Sequence, residues 1–160
     1  MRRLLFLFLL LSCVVMCARE LTGLVVKVAD GDTLTLVDAR GEQHRVRLWG
    51  IDSPEKAQPN GRKAGAALSA LVLKRNVRVE VNDTDQYGRK VGRVFLGAQD
   101  INLEMVRTGL AWHYVQYAKG ASDRAEAERA ARQGGLGLWA DPNPQAPWDY
   151  RRGQRVRRGK

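Results

Sequence analysis

Three short stretches of this 160-residue chain carry side chains suited to chemistry. "ADGDT" holds Asp32, "RLWGIDSPE" holds Arg47, Asp52, Ser53 and Glu55, and "DQYGRK" holds Tyr87 and Arg89. Taken singly, each is an ordinary turn. Asp-Gly is a hairpin cue that Asp32 can cap, Glu55 reads as a solvated charge and Arg89 as a surface residue. The combination says more. Asp52 and Glu55 are crowded around a proline, and crowded carboxylates repel unless a cation lies between them. Asp32 and Asp52 are hard oxygen ligands. Both cysteines lie near the amino terminus and His44 and His113 are the only imidazoles, so zinc or a softer metal is poorly served. An oxygen-liganded ion fits, Ca²⁺ first and Mg²⁺ second. Glu55, past the rigid Pro54, can then point at a water. Arg47 and Arg89 are forked, permanently charged donors, which suit a phosphate. A phosphodiester gains negative charge as a nucleophile adds, and a divalent ion with two arginines opposes that charge. These are the pieces that phosphodiester hydrolysis needs.

Such residues must be brought together by the elements that carry them. Leu24–Val28 is rich in apolar and β-branched residues, "ADGDT" breaks it, and Leu34 and Leu36 then alternate with threonines. "DARGEQ" is a second turn, and Val46, Leu48 and Trp49 begin a third strand. After an irregular "SPEKAQPNG", the period changes: Ala64, Ala67, Leu68, Leu71 and Val72 fall on one helical face. Val77, Val79 and Val81 mark a fourth strand and "VGRVFL" a fifth. Asp100 can cap a helix that Gly109 closes. Asp123, with Glu126 three residues on, predicts the start of a last helix through Arg132. Trp139 and Trp148 fall in a proline-rich stretch expected to pack as irregular cover. The expectation is an α+β, mainly β fold: a five-stranded OB-fold barrel with three helices. The turns carrying Asp32, Asp52 and Arg89 then gather at one end.

The ends of the chain differ from its middle. Met1-Arg2-Arg3 precedes an apolar run from Leu4 to Met16, short for a bilayer span. Residues 1–18 have the layout of a secretory signal. "LLSC", ending at Cys13, resembles a lipoprotein signal and "VVMC", ending at Cys17, is a poorer match, so a cleaved and a lipid-anchored product both stay open. Of the 27 Lys and Arg, Arg2, Arg3 and Arg19 precede the domain and six follow Tyr150, leaving 18 against 17 acids between. The net charge of +10 therefore sits at the ends. Residues 20–150 are expected to form the domain. Residues 151–160 are expected to be a basic, disordered tail that holds polyanions loosely.

"DGDTLTL", ten intervening residues and "RLWGIDSPE" resemble the first signature of the staphylococcal nuclease, or thermonuclease, family. "DQYGRKVGRV" resembles its second, and "LEMVRTGLAW" resembles its second helix with the segment after it. The resemblance covers Leu21 to Tyr150. It implies a calcium-dependent nuclease on an OB-fold barrel, acting on DNA and RNA, favouring single-stranded or flexible stretches, and leaving 3′-phosphate and 5′-hydroxyl ends. Matched position by position, it implies that Asp32, Asp52 and the Ser53 carbonyl bind calcium, with Ser53 where Thr is commoner. Glu55 is then the general base, or orients the attacking water. Arg47 and Arg89 bind the phosphate, Tyr87 contacts a terminal phosphate, and Tyr114 or, second, Tyr117 stacks on the base. Gln86 replaces a basic residue of the signature, which implies weaker nucleotide affinity. A monomer with no obligate protein partner, secreted, periplasmic or lipid-anchored in the envelope, is the expectation. Two rivals are a non-catalytic OB-fold module for single-stranded nucleic acid and an envelope protein adhering through its basic tail. His44 and His113 read as a surface polar residue and a packed ring, and the tryptophans as packing anchors.

Overall fold

A computed structural model describes residues 19–158; the signal reading of residues 1–18 lies outside them. Strand β1 (Arg19–Val28) runs antiparallel to β2 (Thr33–Val37), and β2 to β3 (Gln43–Leu48). A two-residue strand β4 (Ile51–Asp52) precedes helix α1 (Gly61–Val72). Strands β5 (Asn76–Thr84) and β6 (Lys90–Leu96) form the next hairpin. A short β7 (Gln99–Asp100), α2 (Ile101–Arg107) and β8 (Trp112–His113) come next. Helix α3 (Ser122–Gln133), a 3-10 turn (Gly137–Ala140) and α4 (Pro147–Arg158) complete the described chain.

Strand β1 pairs with β5 through residues 19–24 and with β2 through residues 24–28, bending at a bulge between Val25 and Lys27. Because β1 changes partner along its length, the sheet curls. Strand β3 then meets β6 in parallel, Val46 opposite Lys90, and the order β3-β2-β1-β5-β6 closes on itself. The result is a five-stranded mixed barrel of the OB type, as expected. The alternating residues point inward as read: Leu34, Leu36, Val46, Val77 and Val79 are buried. Ala64, Leu68 and Val72 of α1 and Ile101, Met105 and Val106 of α2 cap the same core. No helix among the described residues is long and apolar enough to cross a membrane.

Three expectations need correction. There are four α-helices among the described residues where three were expected, because the tail is not a separate disordered segment. Helix α4 starts at Pro147, inside the expected irregular cover, and runs through the arginines as far as Arg158. Its first turn has a proline at N1 and an acid, Asp149, both favourable at a helix start. Tertiary contacts compensate for the missing apolar stripe. Trp148 packs edge-on against Trp112 with ring centroids 5.5 Å apart, and Arg151 is drawn to acids of the barrel. The domain therefore does not stop at residue 150. The third correction concerns Asp123, which does not cap α3: the cap position is Ala121 and no side chain serves it. Asp123 instead pairs with Arg124, whose buried guanidinium also reaches Asp100 and lies 5.0 Å from the Trp49 ring centre.

Buried Asn102 ties α2 to the barrel wall. Its Oδ1 accepts from Val94 N at 2.9 Å, and its Nδ2 donates to Trp49 O at 2.9 Å and Gly92 O at 3.1 Å. One amide thus fixes β6 and the turn between β3 and β4. Asn102→Ala strands buried backbone groups and is expected to cost about 3 kcal/mol, read as a lowered denaturant midpoint with an unchanged slope.

Candidate active site

The β2–β3 ladder sets Thr33 opposite Arg47, so Arg47 leaves its strand beside the hairpin tip that carries Asp32. A backbone bond from Leu48 N to Asp32 O, 2.8 Å, fixes that tip. Gly31 of the same turn packs against the next loop: a Cβ there would lie 2.6 Å from Ser53 Oγ. The missing side chain lets the two loops touch, and Ser53 N donates to Asp32 Oδ2 at 2.7 Å. Asp52 and Trp112 pair across β4 and β8, which seats Asp52 on the inner layer. Asp32 is 4% exposed and Asp52 fully buried.

Two buried carboxylates need a counter-charge. Arg47 supplies it, forming an ion pair with Asp32 through Nη1 and donating to Asp52 Oδ1 through Nη2 at 2.8 Å. The expected neighbourhood of Asp32, Asp52, Ser53 and Arg47 is therefore a connected unit.

Glu55 stands at the edge of this unit with its side chain 40% exposed. Its backbone is clamped by buried Gln58, whose Oε1 accepts from Glu55 N at 2.8 Å. Gln58 Nε2 in turn donates to Gln145 O at 3.2 Å, ahead of α4. Gly61 packs so closely on the Glu55 carbonyl that no side chain fits there. The cation between Asp52 and Glu55 is Arg151 of α4. It donates to Asp52 Oδ2 at 2.7 Å, to Asp52 Oδ1 at 3.2 Å and to Glu55 Oε1 at 2.8 Å. Burial disfavours its charge, but hydrogen bonds to Asp52 and Glu55 outweigh that and raise its pKa further.

Arg89 enters from the β5–β6 turn, next to the first residue of β6, and barrel closure brings β6 beside β3. Asp85 accepts from the Tyr87 and Arg89 backbone N–H groups at 2.9 and 3.0 Å and from Arg89 Nε at 2.7 Å. Held at Nε by Asp85, Arg89 lines the cleft. Burial pushes the Asp85 carboxyl up, yet these bonds outweigh it and leave its pKa below the ordinary 3.8.

The candidate site residues Asp32, Arg47, Asp52, Ser53, Glu55, Tyr87, Arg89, Tyr114 and Tyr117 all line one open cleft of about 1390 Å³. Tyr87 and Tyr117 are each 69% exposed there. Tyr114 is stacked on Trp148, centroids 5.3 Å apart and planes 15° from parallel, and tilts toward Tyr117 at 5.1 Å. Burial, then the Asp52 charge, raises the Tyr114 pKa. Trp112, Trp139 and Trp148 form a packed cluster, as expected. His113 is buried against Ala118 O at 3.0 Å, also as expected. His44 pairs with Asp38 in the β2–β3 turn. With Glu42 these form a His-acid group whose ligand atoms lie within 4.8 Å of one another, on residues other than the expected ligands.

Sequence reasoning missed Gln58, Asp85 and Arg151. Asp85 is legible in hindsight as an Asx turn before "QYGR". Arg151 is signalled only by the Pro147 helix start. Gln58 carries no local signal.

Residues 45–141 match the family model described as Staphylococcal nuclease homologue. The chain belongs to the staphylococcal nuclease family. It is 43% identical over 154 residues to a protein of Haemophilus influenzae named "Uncharacterized endonuclease", covering 96% of this chain and 84% of that one. It is 39% identical over 143 residues to "Micrococcal nuclease" of Shigella flexneri, covering 83% and 82%. It is 40% identical over 150 residues to "Protein ParB" of Escherichia coli, covering 87% and 84%. Membership of this family makes the protein a nuclease, a hydrolase of nucleic acid whose family uses a metal ion.

The depressed Asp85 pKa gives a signed prediction. Its stabilising effect is present above pH 3.8 and is lost as pH falls through the lower folded value. Asp85→Asn is therefore expected to be less stable than the parent at pH 7. The gap should close on acidification below pH 3.8, in denaturation curves recorded across pH.

Proposed function

We propose that the protein is a calcium-dependent nuclease that hydrolyses DNA and RNA with little sequence preference, leaving 3′-phosphate and 5′-hydroxyl ends. The observation that carries this reading is the convergence of Asp32, Asp52 and Glu55 with Arg47 and Arg89 in one open cleft. The two aspartates are buried, a single guanidinium spans them, and Ser53 adjoins Asp32. An all-oxygen donor set of this kind fits Ca²⁺, and Mg²⁺ second. Asp32, Asp52 and the Ser53 carbonyl would hold the ion, which when bound supplies positive charge against the developing phosphate charge.

The chain's own groups do the rest. Arg89, held by Asp85 at Nε, offers its outer N–H donors to non-bridging phosphate oxygens, and Arg47 offers the N–H groups that Asp32, Asp52 and the Ile51 carbonyl do not engage. These bonds strengthen as charge builds in the transition state. Asp85 keeps the Arg89 fork aimed and lowers the entropy lost on binding. Glu55, partly exposed on a clamped backbone, orients the attacking water and accepts its proton. The water oxygen bonds to phosphorus, the bond to the 5′ oxygen breaks, and that oxygen takes up a proton. Tyr87 and Tyr117, both exposed, would meet the nucleotide, Tyr87 at a terminal phosphate. Tyr114 offers the base its face away from Trp148. The cleft is open rather than a deep slot, which supports action on flexible or single strands. The reading extends to a monomer exported through residues 1–18, either cleaved free or lipid-anchored.

The test is incubation of the purified protein with single-stranded DNA and RNA, in calcium or chelator, with chemical analysis of the ends. Shortened strands with 3′-phosphates, in calcium alone, are expected. Arg47→Ala and Glu55→Ala are each expected to lower kcat by about 10²–10⁴-fold. Strands bound but never shortened would instead favour the single-strand-binding module.

A further inference from the structure

Asp52 has no free oxygen. Its Oδ1 accepts from Arg47 at 2.8 Å and from Arg151 at 3.2 Å, and its Oδ2 accepts from Arg151 at 2.7 Å. Arg151 also holds Glu55 Oε1 at 2.8 Å. A divalent cation taking an Asp52 oxygen must therefore compete with a guanidinium already there, since like charges a few ångströms apart repel.

The two arginines are held very differently. Arg47 springs from the barrel wall, 17% exposed, with further partners in Asp32 and the Ile51 carbonyl. Arg151 is 36% exposed and sits on the terminal helix. Helix α4 is docked by its first turn, where Pro147 is buried and Trp148 meets Trp112 and Tyr114. Beyond Arg151, residues Arg152, Gly153, Arg155 and Val156 face solvent. Of the two, Arg151 is the cation that can yield.

We infer that Arg151 is a displaceable internal counter-ion for Asp52 and Glu55, so that divalent-cation binding and docking of α4 beyond its first turn oppose each other. This rests on reading the site as a divalent-cation site. It adds a residue outside the family signatures that sets the affinity for the ion. It also adds a consequence for Glu55, whose carboxylate is released for water only when Arg151 lets go. The coupling is reciprocal: whatever factor the α4 contact takes from cation affinity, the cation takes from α4 docking.

Calorimetric titration of Ca²⁺ into the purified protein, Arg151→Gln and Arg152→Gln tests this without measuring cleavage. Arg152 is 75% exposed and pairs only with Asp149 among the described residues, so its substitution removes the same charge without touching the site. Arg151→Gln is expected to bind Ca²⁺ about tenfold more tightly than the parent, and Arg152→Gln like the parent. Hydrogen exchange of the unsubstituted protein gives a second reading that needs no variant. Saturating Ca²⁺ should speed exchange of the amides of residues 151–157 and spare those of the barrel. Equal Ca²⁺ affinity in all three proteins, or α4 exchange that is unchanged or slowed by Ca²⁺, overturns the inference and leaves the cation site standing. Absence of Ca²⁺ binding in all three overturns the cation site and the inference together.

Discussion

The site depends on one guanidinium held between two buried carboxylates. Asp32 comes from the tip of the β1–β2 hairpin and Asp52 from β4, which pairs with β8, and two charges buried without a partner are costly. Arg47 lies between them and satisfies both. That position is not a local property of the RLWGIDSPE stretch. It follows from the β2–β3 register, which sets Arg47 opposite Thr33, and from a glycine that lets the Asp32 tip touch Ser53. A one-residue slip of that ladder would turn Arg47 into the core and Leu48 out of it.

Barrel closure does for Arg89 what the register does for Arg47. The β5–β6 turn is far along the chain from Asp32. The parallel contact of β3 with β6 carries it to the same rim. Asn102 reinforces that rim by holding the backbone of β6 and of the Trp49 turn in one buried amide. Asp85 then fixes the direction of Arg89 within its turn. Stability and site geometry are thus carried by the same hydrogen bonds. The hydrogen-bonded barrel wall carries the segments bearing Arg47 and Arg89 to the rim of one open cleft.

Helix α4 adds a less rigid component. Aromatic packing anchors its first turn, while Arg151 and Arg155 line the cleft and Arg152 and Arg157 face solvent. A basic helix next to an acidic centre has two electrostatic choices, the carboxylates or a polyanion. Docking at Asp52 and Glu55 satisfies the first.

Much is legible in the sequence because it depends on local pattern. Alternation of apolar residues in Leu34–Leu36 and Val77–Val81 requires strands with one buried face, and the spacing of Ala64, Leu68 and Val72 requires a helix. The acids and arginines can be picked out because hard oxygen ligands and forked donors have few uses in combination. The motif order carries the family. Contacts between distant groups are what the sequence leaves open. Asp123 has the spacing of a cap, but the cap position falls at Ala121 and its neighbour Arg124 is drawn to Asp100, while Gln58 is an ordinary polar residue until its amide reaches Gln145 O. Residues 151–158 read as disordered because a helix without an apolar face cannot stabilise itself. Only the packing of Trp148 and the charge of Asp52 and Glu55, some hundred residues earlier, make it fold. Composition and period determine which face of each element is buried. Which charges meet is decided by the closed barrel, because Coulomb attraction depends on distance in space and not along the chain.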